Sequence, residues 1–407
     1  MTRTPWHPLT LTAITPMFLG KFSADPRQQQ GMPFPVPSLR GALAYWLRAL
    51  AGAHVGNNLS RLAAAEAATF GSARSGDAGG PSTIWIRGTK PVGVREFRLR
   101  SEDNKLRIAY LMGPGLYGVQ PAARCVEAAK TISLDVRNTG ASVHADLFLS
   151  ALWALRTFGG VGARARRGFG TISVDDRPLR LPCERFQPSW LYNDSADDLP
   201  QVLSCVADCL GEPGIRTGTA GDDQPSYPRF DLSERWHLLS SDIAIPGVRN
   251  AEDALAWTSQ HLRYFRLGGE DNDNTEGWRE IVRPYLDGHP SRTEFRAGAL
   301  GLPVVYTEKA ASPGTDGRSA TVEPVINGQP SRRASPLWLR VRGKGSTWWL
   351  RSLAFNATWL PDGGSSLRVK ATKGATRPAR PVTPPTSDTV KQELERWFSY
   401  VASPDRE

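Results

Sequence analysis

The stretch VHADLFLSALWALRTFGGVGARARRGFGTISV, residues 143–174, reads as helix, loop and strand in succession. Val143, Leu147, Ala151, Leu155 and Phe158 recur at the spacing of one helix face, which predicts a long helix over 143–158. Glycines at 159, 160, 162, 168 and 170 end that helix, and FGTISV at 169–174 enters a strand. Arginines stand between them at 164, 166 and 167. Glycine permits positive φ and lets a ligand come close to the main chain, exposing N–H groups to phosphate oxygens. Guanidiniums add bidentate phosphate contacts. In an extended segment Arg164 and Arg166 share one side and Arg167 faces the other. The loop is no P-loop, because it lacks GK[ST] and its glycines follow a helix instead of opening one. The competing reading is a surface loop made basic by a composition that favours Arg over Lys, since only 9 of the 50 basic residues are Lys.

Outward from this segment, PLTLTAIT at 8–15 alternates like a half-buried strand. A loop at 19–31 carries Gly20, Lys21, Pro26 and Gly31. Ser38 then offers an N-cap to a helix whose Leu39, Leu43, Trp46, Leu47 and Leu50 share a face. Ser38 is equally able to turn its hydroxyl to a phosphate, and Arg40 either lies along the core edge or reaches RNA. Gly41 costs about 1 kcal/mol of helix propensity against Ala, so its backbone is expected to pack closely against something. A second helix is expected over 59–69, and strands over 82–87, 94–100, 106–112 and 131–136. This order describes an α+β fold, a ferredoxin-like (RRM-like) domain with insertions over residues 1–185.

Residues 186–407 are expected to form a second domain of the same class with long loops. Apolar runs at 236–245, 300–306, 337–341 and 349–360 read as strands, and 251–263, 277–286 and 388–401 as helices. Segments 312–336 and 361–387, rich in Gly, Pro, Ser and Arg, read as mobile loops. Trp348 and Trp349 alternate, so one indole is expected in the core. A base stacked on the other is the lesser reading.

Charge is unevenly placed. Residues 1–185 hold 24 Lys and Arg against 12 Asp and Glu, while residues 186–407 hold 26 against 28. The positive field belongs to the first half, which attracts polyanions. No apolar core follows the polar, proline-punctuated residues 1–8, and no run is long enough to span a membrane, so the expected compartment is the cytoplasm. Cys205 and Cys209, four apart on a helix, read as a buried thiol pair. Cys125 and Cys183 are isolated, and no metal site or cofactor is expected.

Little in the sequence supports an enzyme. The histidines at 7, 54, 144, 237, 261 and 289 are dispersed, although His54 and His144 keep open the alternative of a metal-independent endoribonuclease acting on repeat RNA. The acidic run Glu270, Asp271, Asp273, Glu276 lacks calcium-loop spacing.

Three motifs carry a family resemblance: PSLRGALAYWLRAL at 37–50, Glu66 with Phe70-Gly71-Ser72, and FGGVGARARRGFG at 158–170 resemble the RAMP superfamily of CRISPR systems. GLPV at 301–304 and RRASPLWLR at 332–340 look like the first RAMP subunit of the type III-B, or Cmr, effector complex. The resemblance implies two RRM-like domains that bind guide RNA near its 3′ end, possible contact with target RNA, and neighbouring RAMP subunits as partners. It carries RNA contact to Ser38, Arg40, Gly159, Gly160, Gly162, Arg164, Arg166, Arg167, Gly168 and Gly170, with Lys21 and Arg48 as additional candidates. Lys21 departs from the pattern, since relatives often show a second glycine after the position of Gly20.

Overall fold

A computed structural model describes residues 4–19, 32–72, 80–97, 108–113, 116, 123–175, 179–211, 224–267, 278–289, 294–307, 317–360, 365–374 and 376–403. The chain divides into two compact units. One takes in Met1–Asp223, Arg229–Gln260 and Trp338–Leu353, and the other Gln224–Pro228, His261–Leu337 and Ala354–Glu407. In chain order the elements used below are β1 (His7–Ala13), α1 (Val36–Val55), α2 (Leu59–Phe70), β2 (Ile84–Gly88), β3 (Thr131–Asn138), α3 (Ser142–Phe158), β4 (Ile172–Val174), α4 (Leu199–Leu210), β5 (Ile243–Ala244) and α5 (Ala251–Leu267). They continue with β6 (Val304–Thr307), β7 (Ser319–Ile326), β8 (Leu337–Lys344), β9 (Thr347–Phe355), β10 (Ser365–Lys373), β11 (Arg380–Val382) and α6 (Ser387–Ala402).

The first unit is built on an antiparallel sheet of order β2-β3-β1-β4, fed by the succession strand, helices, strand, strand, helix, strand. Alternation sets its register: Leu9 opposes Leu134 and Leu11 opposes Ile132 on the buried face, while Thr10 opposes Ser133 on the other. α1 and α3 cover the buried face, with Trp46, Leu50, Leu147, Leu152 and Trp153 fully inside. Asn58 caps α2 by accepting from the Arg61 N–H at 3.1 Å. Cys205 and Cys209 on α4 are buried free thiols. Among the described residues no helix is long and apolar enough to cross a membrane.

Two expectations are corrected. Residues 108–112, read within a strand, form a helical turn, because Ile108, Leu111 and Met112 are buried at helical spacing instead of alternating. Segments 312–336 and 361–387, read as mobile loops, contain β7, β10 and β11. In the second unit β7 pairs with β10 from Ser319–Lys373 to Ile326–Ser365, in a sheet ordered β6-β7-β10-β11. Composition misled there: Ala320, Val322, Val325, Leu367 and Val369 supply the buried apolar side chains between polar neighbours, of which Ser319, Thr321 and Glu323 are buried too. α6 carries Val390, Leu394, Trp397, Phe398 and Val401 at helical spacing, and all but the half-buried Phe398 are buried. Of the tryptophan pair, Trp348 is buried and Trp349 half-buried under the Arg342 guanidinium at 5.1 Å.

A second sheet, β5-β9-β8, belongs mainly to the first unit and is tied to the end of α3 by charge. Asp194 and Asp242 face Arg156, Arg340, Arg342 and Arg351. Arg351 donates to Asp242 at 2.8 Å and to the Thr157 carbonyl at 3.1 Å, so one guanidinium joins β9 to the last turn of α3. Burial disfavours the Asp194 carboxylate, but Arg340, Arg156, Arg342 and Arg351 outweigh it and hold its pKa below the ordinary value. Burial pushes Arg340, only 2 % exposed, down to about 9, against the opposing pull of Asp194. Asp194→Asn leaves these buried cations short of a counter-charge and is expected to cost about 3–5 kcal/mol in urea unfolding; a loss below about 1 kcal/mol would contradict this role.

Candidate nucleic-acid interface

The glycine loop is bound into the fold by its main chain. The Gly159 N–H caps α3 on the Leu155 carbonyl at 2.9 Å. Val161 N–H donates to Gly170 O, Gly170 N–H to Pro16 O and Ala163 N–H to Phe18 O, at 2.9, 2.9 and 2.8 Å. The Thr15 hydroxyl donates to the Gly168 carbonyl at 2.7 Å and accepts the Thr171 N–H at 3.0 Å. Further along, the Leu339 N–H of β8 donates to Arg166 O at 3.1 Å, setting the loop against the edge of the second sheet. Residues 159–161 and 168–170 are buried, and 162–167 are half-buried or exposed.

Here the glycines answer to the protein's own backbone. A side chain at Gly162 (φ +96°) would overlap Phe18 O, and one at Gly170 (φ +67°) would overlap Val161 O. At Gly160 a Cβ would lie 2.7 Å from Phe169 O, and at Gly159 it would strike the Trp46 indole. Gly168 (φ +81°) is pressed against Val341 and Leu255. Positive φ was expected; the neighbour that demands it is the fold itself.

The arginines point differently from the extended-chain expectation. Arg164 has φ +63°, and the Arg167 N–H donates to Arg164 O at 2.8 Å, so the tip is a turn. The turn sends Arg164 and Arg167 to one side, where Arg164 packs on Gly113 and Arg167 Nη1 donates to the Tyr110 carbonyl at 3.0 Å. Arg166 goes elsewhere, its Cζ 4.8 Å from the Trp338 ring centroid and 5.4 Å from that of Tyr45.

Tyr45 links the loop to α1. That helix begins at Val36, after Pro35 with no side-chain cap, so Ser38 lies inside the first turn and is not the expected cap. Ser38, Gly41 and Tyr45 fall at i, i+3 and i+7, one stripe that ends at the aromatic ring under Arg166. Gly41 is exposed, and nothing in the described chain lies within 4 Å of the position its Cβ would take. The close neighbour expected for Gly41 is therefore absent from the described residues. Arg40 is exposed, makes no hydrogen bond or ion pair among the described residues, and the first turn carries no acidic residue. Arg48 is committed to Glu66 of α2 at 2.7 Å. Lys21 and the run 270–276 lie outside the described residues.

Sequence reasoning missed Tyr45 and Trp338 as partners of the loop. Tyr45 lies inside the α1 motif, and no local pattern joins it to a tryptophan almost three hundred residues away. The two are also hydrogen-bonded, Trp338 Nε1 donating to the Tyr45 hydroxyl at 3.2 Å. The histidines are not drawn into this stripe. His54 Nε2 lies 2.9 Å from the Leu203 carbonyl, and burial lowers the pKa of both His54 and His144. Among the described residues no group of three or more His, Cys, Asp or Glu is placed to hold a metal ion.

Comparison with known proteins finds a family match over part of the chain. Residues 10–173 match the RAMP superfamily. The chain is 25 % identical over 236 residues to the CRISPR system Cmr subunit Cmr1-1 of Pyrococcus furiosus, covering 56 % of this chain and 64 % of that relative's length. It is 27 % identical over 185 residues to the Cmr subunit Cmr1-2 of the same organism, covering 40 % of this chain and 92 % of that relative. In structure it is similar to apo Cmr1 from P. furiosus, with a TM-score of 0.53 and 20 % identity over 88 % of this chain and 90 % of the other, which establishes a shared fold.

Two measurements check the site's construction. Gly170→Ala places a Cβ on a main-chain carbonyl at positive φ and should cost more than about 2 kcal/mol. Gly41→Ala should instead stabilise the chain by up to about 1 kcal/mol. Equal and opposite-to-expected shifts in urea unfolding would refute the assignment of these glycines. Separately, His54, His144 and His237 have pKa values lowered chiefly by burial from the ordinary 6.5. Below 6.5 the unfolded chain binds more protons than the folded one, so stability is complete above that pH and falls as pH drops beneath it. Thermal unfolding should show Tm decreasing from pH 7.5 to about 5.5; a rise over that interval would reverse the sign and defeat the reading.

Proposed function

With residues 10–173 matched to the RAMP superfamily, we propose that the chain is a non-catalytic RNA-binding subunit of a type III-B (Cmr) CRISPR effector ribonucleoprotein. In this reading it contacts guide RNA near its 3′ end, target RNA in the assembled complex, and neighbouring RAMP subunits in antiviral defence, inside the cytoplasm. The two Cmr subunits of P. furiosus to which it is similar support the assignment to that complex. Two tandem ferredoxin-like domains, over 1–185 and 186–407, complete the reading. The order β2-β3-β1-β4 supports the first.

The observation that carries the proposal is the stripe Ser38–Gly41–Tyr45 leading to Arg166. A glycine exposed in a helix costs stability, and nothing in the described chain accounts for it. A ribose-phosphate strand laid across the stripe does. It approaches the bare backbone at Gly41, takes a hydrogen bond from Ser38 and meets the positive helix terminus and Arg40. Half-buried Arg166 continues that surface, exposed Gly162 and half-buried Arg164 and Arg167 add contacts beside it, and Gly159, Gly160, Gly168 and Gly170 fix the shape of the loop. Contacts of this kind go to phosphate and 2′-hydroxyl groups and are indifferent to guide sequence. Half-buried His144 and the engagement of His54 with the Leu203 carbonyl support binding without cleavage.

Anisotropy titrations with labelled repeat-derived guide RNA test this. Arg40→Ala should weaken binding severalfold and lower the salt slope by about one. Gly41→Leu should also weaken binding, although it favours the helix. The triple change of Arg164, Arg166 and Arg167 to Ala should lose more affinity, with circular dichroism used to verify folding. Unchanged affinity and salt slope in all three variants would reject the proposal, as would specific cleavage of repeat RNA in EDTA that His54→Ala or His144→Ala abolishes.

A further inference from the structure

The face of β2-β3-β1-β4 that turns away from α1 and α3 has no part in the stripe described above. Strand alternation places Trp85 and Arg87 of β2 opposite Arg137 and Asp135 of β3 on this face. Trp6, just ahead of β1, lies under two guanidiniums, with Arg87 Cζ at 4.2 Å and Arg137 Cζ at 4.6 Å from its ring centroid. Arg137 also lies over Trp85, at 5.6 Å. The result is a row of alternating rings and cations held flat against a sheet.

Two features of the row suit an incoming ligand. Trp85 is 46 % exposed, one of four large apolar side chains so placed among the described residues. Its open ring face is a platform on which a flat aromatic ligand can stack. Charge is also left over. Asp135 accepts from Arg87 Nε and Nη2 at 3.0 and 2.7 Å, whereas Arg137 has no carboxylate partner among the described residues and its Nε makes no hydrogen bond. Next to the row, Thr10, Thr12 and Ser133 add small hydroxyls to the same face.

We propose that this face is a second RNA-contacting surface. An unpaired base stacks on the exposed side of Trp85, and Arg137 takes the adjoining phosphate. The chemistry favours a single strand, since π-faces joined to an uncancelled cation suit unstacked bases and their backbone, whereas a duplex hides its bases from an indole. Because it rests on the RNA-binding reading of the preceding subsection, its test must separate the two.

Full-length protein is titrated with labelled unstructured polyuridine and with duplex RNA. Trp85→Ala should weaken polyuridine binding about tenfold without altering the salt slope, since no charge is removed. Trp85→Phe should restore most of that loss, and the duplex should not respond to either change. Arg137→Ala should lower both the affinity and the salt slope. Ultraviolet crosslinking of polyuridine to wild-type protein should mark the peptide containing Trp85. The surface is overturned if Trp85→Ala binds polyuridine like wild type and that peptide is not crosslinked, while Arg40→Ala still weakens binding; the α1 reading would then stand alone. Trp85→Ala that spares RNA binding but abolishes capture of a neighbouring Cmr subunit would make the face a protein interface instead. Wild-type protein without RNA affinity would overturn both readings.

Discussion

Three main-chain hydrogen bonds, from Val161 to Gly170, from Gly170 to Pro16 and from Ala163 to Phe18, fix the position of everything at the candidate interface. They require two strands of backbone to approach where no Cβ fits, which is why glycine stands at 160, 162 and 170. Once those bonds form, the tip between them is too short to stay extended. It turns at Arg164 and sends its guanidiniums apart. Loop and β1 extension are thus one construction, and the surface offered to a ligand is what that construction leaves outside.

Electrostatics holds the base of the same loop. Four arginines converge on Asp194 and Asp242, and Arg351 reaches the Thr157 carbonyl just before the loop begins. Removing these ions from water is costly, and the cluster is tolerable because backbone carbonyls and two carboxylates share the charge. A part of the basic character of this chain is therefore structural. Arg40 and Arg137 stand outside that cluster, the first on the opening turn of α1 and the second on the open face of the first sheet.

Much of this was readable in the residues. The stripes of α1, α3 and α6, the alternation of β1 and β3, and the single buried indole of Trp348 and Trp349 all follow from periodicity, since each depends on neighbours within one element. The turn at 108–112 was misread because a short apolar run suits strand and helix alike until its burial is known. β7 and β10 were overlooked because Ser, Thr and Pro dilute their apolar residues. Each strand is completed by a partner some forty-five residues away, and that pairing leaves no local signature.

At the interface the division falls in the same place. By itself the sequence determined that a glycine-rich basic loop follows a long helix, that a serine, an arginine and a glycine open an earlier one, and that the first half is positive. Those are properties of spacing and composition. Only the tertiary structure decided that the loop's glycines serve the protein's own backbone, that Arg166 rests on Tyr45 and Trp338, and that Gly41 is left bare. The physical reason is that close approach, stacking and exposure are relations between segments distant in the chain, and only packing brings such segments together.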